Sequence, residues 1–267
     1  MGSSRRPSAS GQHEPNYYLA LGDSLSTGVQ PIGPEHLQFR TNEGYSDQLC
    51  ALARVRLPSL RVVKLGYPGE STTTMLDGSL FAYPHGNQLA EAVAFLRAHR
   101  GEIAFVTIDI GPNDFPTRDI EGIAPGLEAV RRNLPGILDS LREAAGPDTP
   151  IVGMTIYDPF LAGWVSGPEG QDLARVSVYE AVLPINSGLT AIYANAGLDV
   201  ADVEGAFATS DFDTMVPLKD FGPVPLNVAR IHEWTWAGAP PPLGPDPHAN
   251  ADGYRVIAEA FARVLLP

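Results

Sequence analysis

"YYLALGDSLSTGVQP", residues 17–31, sets a short apolar run directly against Gly22-Asp23-Ser24. Aromatic and aliphatic residues closed by a glycine read as a buried strand that ends in a tight turn. The same pattern recurs in RVVKL at 61–65, IAFVTIDI at 103–110, IVGMTI at 151–156 and LDVADV at 198–203, each run bounded by Gly, Pro or Asp. Between them, 44–56, 87–99, 123–145 and 172–196 have helical spacing, with Leu89, Ala92, Val93 and Leu96 as the apolar stripe of the second. Alternating strand and helix predicts an α/β chain with a parallel sheet covered by helices on both faces. In such sheets, sites gather beyond the carboxyl ends of the strands. Pro135 and Pro184 are expected to kink or split two of the helices.

The last segment is a clear amphipathic helix. Val256, Ile257, Ala260, Phe261, Val264 and Leu265 fall on one stripe, and Asn250 is placed to cap its start. Residues 204–245 hold several Pro and Gly and little periodicity, which predicts a functional loop or lid. The polar opening, 1–15, reads as a disordered leader or tag-like segment, and 16–267 as one domain.

Composition narrows the function. The chain carries 18 basic and 31 acidic residues, a formal charge of −13, which repels phosphate backbones and argues against nucleic acid. The lone cysteine, Cys50, allows no intramolecular disulfide and too few thiolates for structural zinc. No run reaches the roughly 20 apolar residues of a membrane span. The expectation is a soluble protein, cytoplasmic or secreted with its signal peptide missing from this sequence, of undetermined oligomeric state. His13, His36, His85, His99 and His232 lack metal-ligand spacing, and neither GxGxxG nor GxxxxGK[ST] occurs, so neither a metal nor a cofactor is expected.

The strand ends carry chemistry. The first supplies Ser24, the second the turn Gly66-Tyr67-Pro68-Gly69-Glu70-Ser71, and the third Gly111-Pro112-Asn113-Asp114. Asp246-Pro247-His248 stands just before the final helix. A serine hydroxyl becomes a nucleophile when a histidine takes its proton, and the tetrahedral oxyanion needs prearranged donors. Ser24 is the candidate nucleophile and His248 the general base. The Ser24 and Gly69 N–H groups and the Asn113 amide are the candidate oxyanion hole.

These blocks, GDSLS with Ser24, YPGEST with Gly69, GPND with Asn113 and DPHANADGY with His248, resemble those of the SGNH hydrolases, the GDSL esterase/lipase family. They occur in that family's order and extend from residue 17 to near the C-terminus. The resemblance implies a flavodoxin-like three-layer α/β/α fold with a five-stranded parallel sheet, and metal-free ester hydrolysis through a covalent acyl-enzyme. One position departs from the family: the histidine's carboxylate partner commonly lies three residues before it, where this chain has Pro245. Asp246 is the candidate for the third triad member, with a main-chain carbonyl as the alternative orienting group.

Other polar residues have structural readings. Asp23 is expected to tie down the turn, Asp109 to be a satisfied buried carboxylate, and Asp114 to hold a turn. Tyr157, Trp164, Trp234 and Trp236 fall near the proposed site and are candidate substrate-binding residues, while Asp158, Pro159 and Phe160 follow the fourth strand and could line the same pocket. Small-molecule esters such as lipids, aryl esters or acetylated sugars are the expected substrates. Acyl transfer to an alcohol or sugar is the alternative reaction, and a non-catalytic carbohydrate- or lipid-binding module the alternative role.

Overall fold

The structure is a computed structural model that describes residues 15–31, 37–115 and 120–267. The expected leader at 1–15 lies, but for its last residue, outside the described residues.

In chain order the first half comprises β1 (Tyr17–Gly22), β2 (Val29–Pro31), β3 (Gln38–Arg40), α1 (Tyr45–Ala53), β4 (Arg61–Lys64), α2 (Thr72–Asp77), α3 (Gln88–Ala98) and β5 (Ile103–Asp109). Next come α4 (Ile120–Ala145), β6 (Ile151–Met154), α5 (Pro168–Val176), a π-helical turn at Ser177–Val182 and α6 (Leu183–Asn195). The chain closes with β7 (Asp199–Ala201), α7 (Val203–Ala206), β8 (Met215–Leu218), β9 (Gly222–Pro225), α8 (Leu226–Trp234) and α9 (Ala251–Leu265).

The central sheet runs β4-β1-β5-β6-β7 with every pairing parallel. Numbered among themselves, these five strands follow the order 2-1-3-4-5, the flavodoxin-like arrangement. The chain leaves β1 toward β4 and later crosses back to β5, so the loops after β1 and β5 part and leave a crevice between them.

Alternation along the strands feeds two cores. Tyr18 and Ala20 of β1 join Phe105, Val152 and Met154 in a layer with α1, α8 and α9. Leu19 and Leu21 join Val106, Ile108 and Ile151 in a layer with α3, α4 and α6. A strand covered on both faces needs apolar residues at every position, as β1 has. The final helix matches its sequence pattern: Asn250 Oδ1 accepts from the N–H groups of Asp252 and Gly253, and Tyr254, Ile257 and Phe261 are fully buried.

Two expectations need revision, and one about proline holds. The helix carrying Pro135 runs unbroken from 120 to 145, because Leu134, Ile137, Leu138 and Leu141 are wholly buried in the core and hold it through the missing hydrogen bond. Around Pro184 the expected helix does divide, into α5, the π-helical turn and α6, whose first turn accommodates the proline. Residues 204–245 are not a lid. They contain the β8–β9 hairpin and α8, and Phe207, Phe212, Leu218, Val224, Val228 and Ile231 are buried in the core. Proline and glycine there punctuate short elements that a search for long periodic segments does not register.

Candidate active site

The turn after β1 is built against a second carboxyl group. Gly22 has φ +121°, and a Cβ at this position would overlap the Asp109 carboxyl, so glycine is required by both conformation and space. Gln88 clamps it from the other side, accepting from the Gly22 N–H at 2.8 Å and donating to the Gly22 carbonyl at 3.0 Å.

Asp23 is buried and organises the turn, as expected of it. Its Oδ1 accepts from the Leu25 N–H at 3.0 Å and from Ser24 Oγ at 3.4 Å, and its Oδ2 accepts from Asn113 Nδ2 at 3.0 Å. Asp109 accepts from Tyr45 OH and from the Ser26 N–H, both at 3.0 Å. Burial, and then the charge of neighbouring Asp23, hold Asp109 well above the usual carboxylate range. Burial also raises Asp23, opposed chiefly by the Leu25 N–H.

The second and third strand ends are tied together. Asp114 accepts from the Thr72 N–H at 2.8 Å and from Thr72 Oγ1 at 2.5 Å, so it links two loops beyond the local turn expected of it. Asn113 Nδ2 donates to the Glu70 carbonyl at 3.1 Å, next to Gly69, which has φ +84° and is exposed. Among the described residues the N–H groups of Ser24 and Gly69 meet no protein acceptor.

His248 is 9% exposed, and its Nδ1 lies 2.6 Å from Asp246 Oδ1. The same oxygen accepts from the His248 N–H at 2.9 Å, while Gln38 Nε2 donates to Oδ2 at 2.7 Å. Burial alone would raise the Asp246 carboxyl, but the His248 hydrogen bonds and charge, with Gln38, bring it below its ordinary value. An ionised partner at Nδ1 favours the proton there and leaves the Nε2 lone pair free. A carboxylate two residues away therefore stands where a main-chain carbonyl was the alternative.

These loops border one cavity of about 900 Å³, lined by Ser24, Gly69, Asn113 and His248 and walled mainly by apolar residues including Phe115, Ile123, Ile156, Val182 and Ile185. Tyr157 lines it too, and its OH donates to the Pro247 carbonyl at 2.7 Å, bracing the histidine loop. Asp158, Pro159 and Phe160 line it as well.

The three tryptophans do not line it. Trp164 packs on Phe212 under Arg175, and Trp234 meets Phe207 edge-on. Trp236 exchanges main-chain bonds with the histidine loop, its N–H to the His248 carbonyl at 2.9 Å and its carbonyl from the Asp246 N–H at 3.1 Å. The Trp236 indole N–H donates to Gln30 Oε1 at 3.2 Å, and nearness in sequence to His248 brought neither Trp234 nor Trp236 to the cavity. Gln38 and the pocket wall from α5 to α6 escaped the sequence reading, since neither carries a local motif. The partners Gln38 and Asp246 are 208 positions apart.

A model of the GDSL-like Lipase/Acylhydrolase family matches residues 20–256. A search of curated proteins finds no match. Among solved structures, an extracellular lipase from Streptomyces rimosus is similar at 20% identity and TM-score 0.58, covering 93% of this chain and 99% of its own. A protein described as a GDSL-like lipase from Parabacteroides merdae reaches TM-score 0.58 at 14% identity over 94% and 96% of the two chains. An acetylxylan esterase from Geobacillus stearothermophilus reaches 0.54 at 17% identity over 96% of each. These likenesses bear on the fold.

Proposed function

From the premise that the chain belongs to the GDSL-like lipase/acylhydrolase family and is a carboxylic ester hydrolase, we propose that Ser24 is its nucleophile, His248 its general base and Asp246 the carboxylate that orients His248. His248 Nε2 takes the Ser24 proton as Oγ attacks the ester carbonyl. The negative charge that develops on the carbonyl oxygen is received by the Ser24 and Gly69 N–H groups and by Asn113 Nδ2. Both Asn113 N–H bonds are engaged at rest, one by Asp23 and one by the neutral Glu70 carbonyl. The charged oxyanion is the stronger acceptor and displaces the carbonyl. The alcohol leaves with the proton from His248, and a water deprotonated by His248 releases the acid from Ser24. At rest the Ser24 hydroxyl makes its long bond to Asp23. In the reaction the hydroxyl must exchange that acceptor for the imidazole, a contact of the kind that tightens only with substrate.

The observation that carries this reading is the Asp246–His248 pair at 2.6 Å in the wall of the cavity that Ser24, Gly69 and Asn113 also border. The mainly apolar walls suit an acyl arm longer than acetyl. Ser24→Ala should abolish turnover of p-nitrophenyl esters while leaving the thermal unfolding cooperative. A fluorophosphonate probe should label the wild type with one equivalent and the variant not at all. Turnover retained by the purified variant refutes the assignment.

A further inference from the structure

Ser24 and Gly69 belong to different strand ends, so neither turn alone sets the separation of their N–H groups. The Gly69 turn is short. Its Glu70 N–H donates to the Tyr67 carbonyl at 3.0 Å across Pro68 and Gly69, and a proline followed by a glycine at φ +84° fits a type II turn. Both ends of this turn are tied to Gly22, two residues before Ser24. At one end the Tyr67 N–H donates to the Gly22 carbonyl at 3.1 Å. At the other, Glu70 Oε2 accepts at 3.0 Å from Gln88 Nε2, part of the same side-chain amide that clamps the Gly22 N–H and carbonyl. Tyr83 completes the cluster, its OH accepting from Gln88 Nε2 at 3.2 Å and donating to the Leu65 carbonyl at 2.6 Å. The Glu70 carbonyl in turn receives Asn113 Nδ2 at 3.1 Å. Gln88 and Glu70 are both buried, and neither of them nor Tyr83 lines the cavity. Burying a carboxyl group and an amide costs desolvation that apolar residues of similar volume avoid, so packing alone does not account for the pair.

We propose that Gln88 and Glu70 are positioning residues for the oxyanion hole. The Gln88 amide, acting on Gly22 and on the Glu70 carboxyl, fixes the Ser24 N–H, the Gly69 N–H and Asn113 Nδ2 at the separation that the developing oxyanion requires. The inference rests on the esterase reading of the site and adds two residues that work through its donors without touching substrate. Preorganised donors stabilise a transition state because they need not move as charge develops. Without the Glu70 tether the turn keeps its Tyr67 bond but loses its hold at the other end, which carries both Gly69 and the carbonyl that aims Asn113. Ground-state binding by the apolar walls is unaffected, so the loss falls on kcat.

The test measures kcat and KM on p-nitrophenyl butyrate, and inhibition by an alkyl trifluoromethyl ketone whose hemiketal oxyanion with Ser24 occupies the hole. Glu70→Ala cuts the tether and leaves the Gln88 clamp on Gly22 in place; Gln88→Ala removes both. Each should lower kcat by about 10- to 100-fold, the scale of a misplaced donor, with KM within about threefold of wild type. The inhibition constant of the ketone should rise by the same factor as kcat falls. Glu70→Gln, whose amide oxygen still accepts from Gln88 Nε2, should recover most of the loss. In an Asn113→Ala background Glu70→Ala should cost less than it does alone, because one donor it positions is gone. Should Glu70→Ala not unfold cooperatively, Glu70→Asp, which withdraws the carboxyl by one methylene, carries the same expectation. A folded tether variant with kcat within about threefold of wild type, unchanged ketone affinity, or a Glu70→Gln no better than Glu70→Ala overturns the positioning role and leaves the esterase reading intact. A wild type that neither hydrolyses the ester nor binds the ketone, with Ser24 refractory to fluorophosphonate, overturns both.

Discussion

Asp246→Asn separates shape from charge at His248. The wild-type carboxylate takes three hydrogen bonds, two from His248 and one from Gln38. An asparagine whose amide oxygen occupies the Oδ1 position still accepts both His248 bonds. Its NH₂ then faces Gln38, whose exposed amide can turn over to accept from it. What disappears is the negative charge beside the imidazolium formed during acyl transfer. A unit charge about 4 Å away contributes about 4 kcal/mol at an effective dielectric near 20, and water in the open cavity lowers this to roughly 2–4 kcal/mol. The corresponding fall in kcat is roughly 30- to 1,000-fold, with little change in KM. Should the amide instead present its NH₂ to Nδ1, the imidazole is held in the wrong tautomer and the loss approaches ~10⁴. The assay is kcat on p-nitrophenyl butyrate at pH 8 for wild type, Asp246→Asn and Asp246→Ala. Gln38→Ala serves as the comparison, and its loss should stay below about tenfold, because the charge remains. Asp246→Asn within about threefold of wild type would refute the reasoning and return the orienting role to a main-chain carbonyl.

Asn113→Ala should lower kcat by roughly 10²–10³, the usual cost of one oxyanion donor, with the fold preserved; an unchanged kcat removes Asn113 from the site. Gly22→Ala should destabilise by more than about 3 kcal/mol, measured by urea unfolding, because its Cβ runs into Asp109 in a conformation that L-residues avoid. A near-native midpoint would show that the turn can yield. Burial raises the Asp158 carboxyl to about 6. The native state therefore holds a proton that the unfolded chain releases near pH 4, and stability falls as pH rises from about 4 to about 6. Asp158→Asn should accordingly match wild type at pH 4 and exceed it at pH 8 by up to roughly 3 kcal/mol; a stability difference that does not vary with pH contradicts the buried charge.

Asp109 shows how far local reading reaches. A polar residue inside an apolar strand implies a buried partner, and that much follows from alternation. That the partner set is Tyr45, Ser26 and the second carboxylate Asp23, pressed against Gly22, depends on three segments meeting. Ser24, Gly69, Asn113 and His248 were legible as candidates because strand-end turns and the segment before the last helix impose short local motifs. The five parallel strands were legible because a doubly covered strand must be apolar throughout.

The tryptophans and residues 204–245 mark the limit. Side chains near His248 in sequence can face the cavity or the core, and packing of the β8–β9 hairpin and α8 selected the core. Gln38, paired with Asp246 from 208 positions away, belongs to the same class. Motif spacing records what the backbone does over a few residues, and that was enough for the sheet and the strand-end turns. Which distant polar groups pair is set by long-range contacts. Their energies depend on burial and geometry, and they leave no periodic trace along the chain.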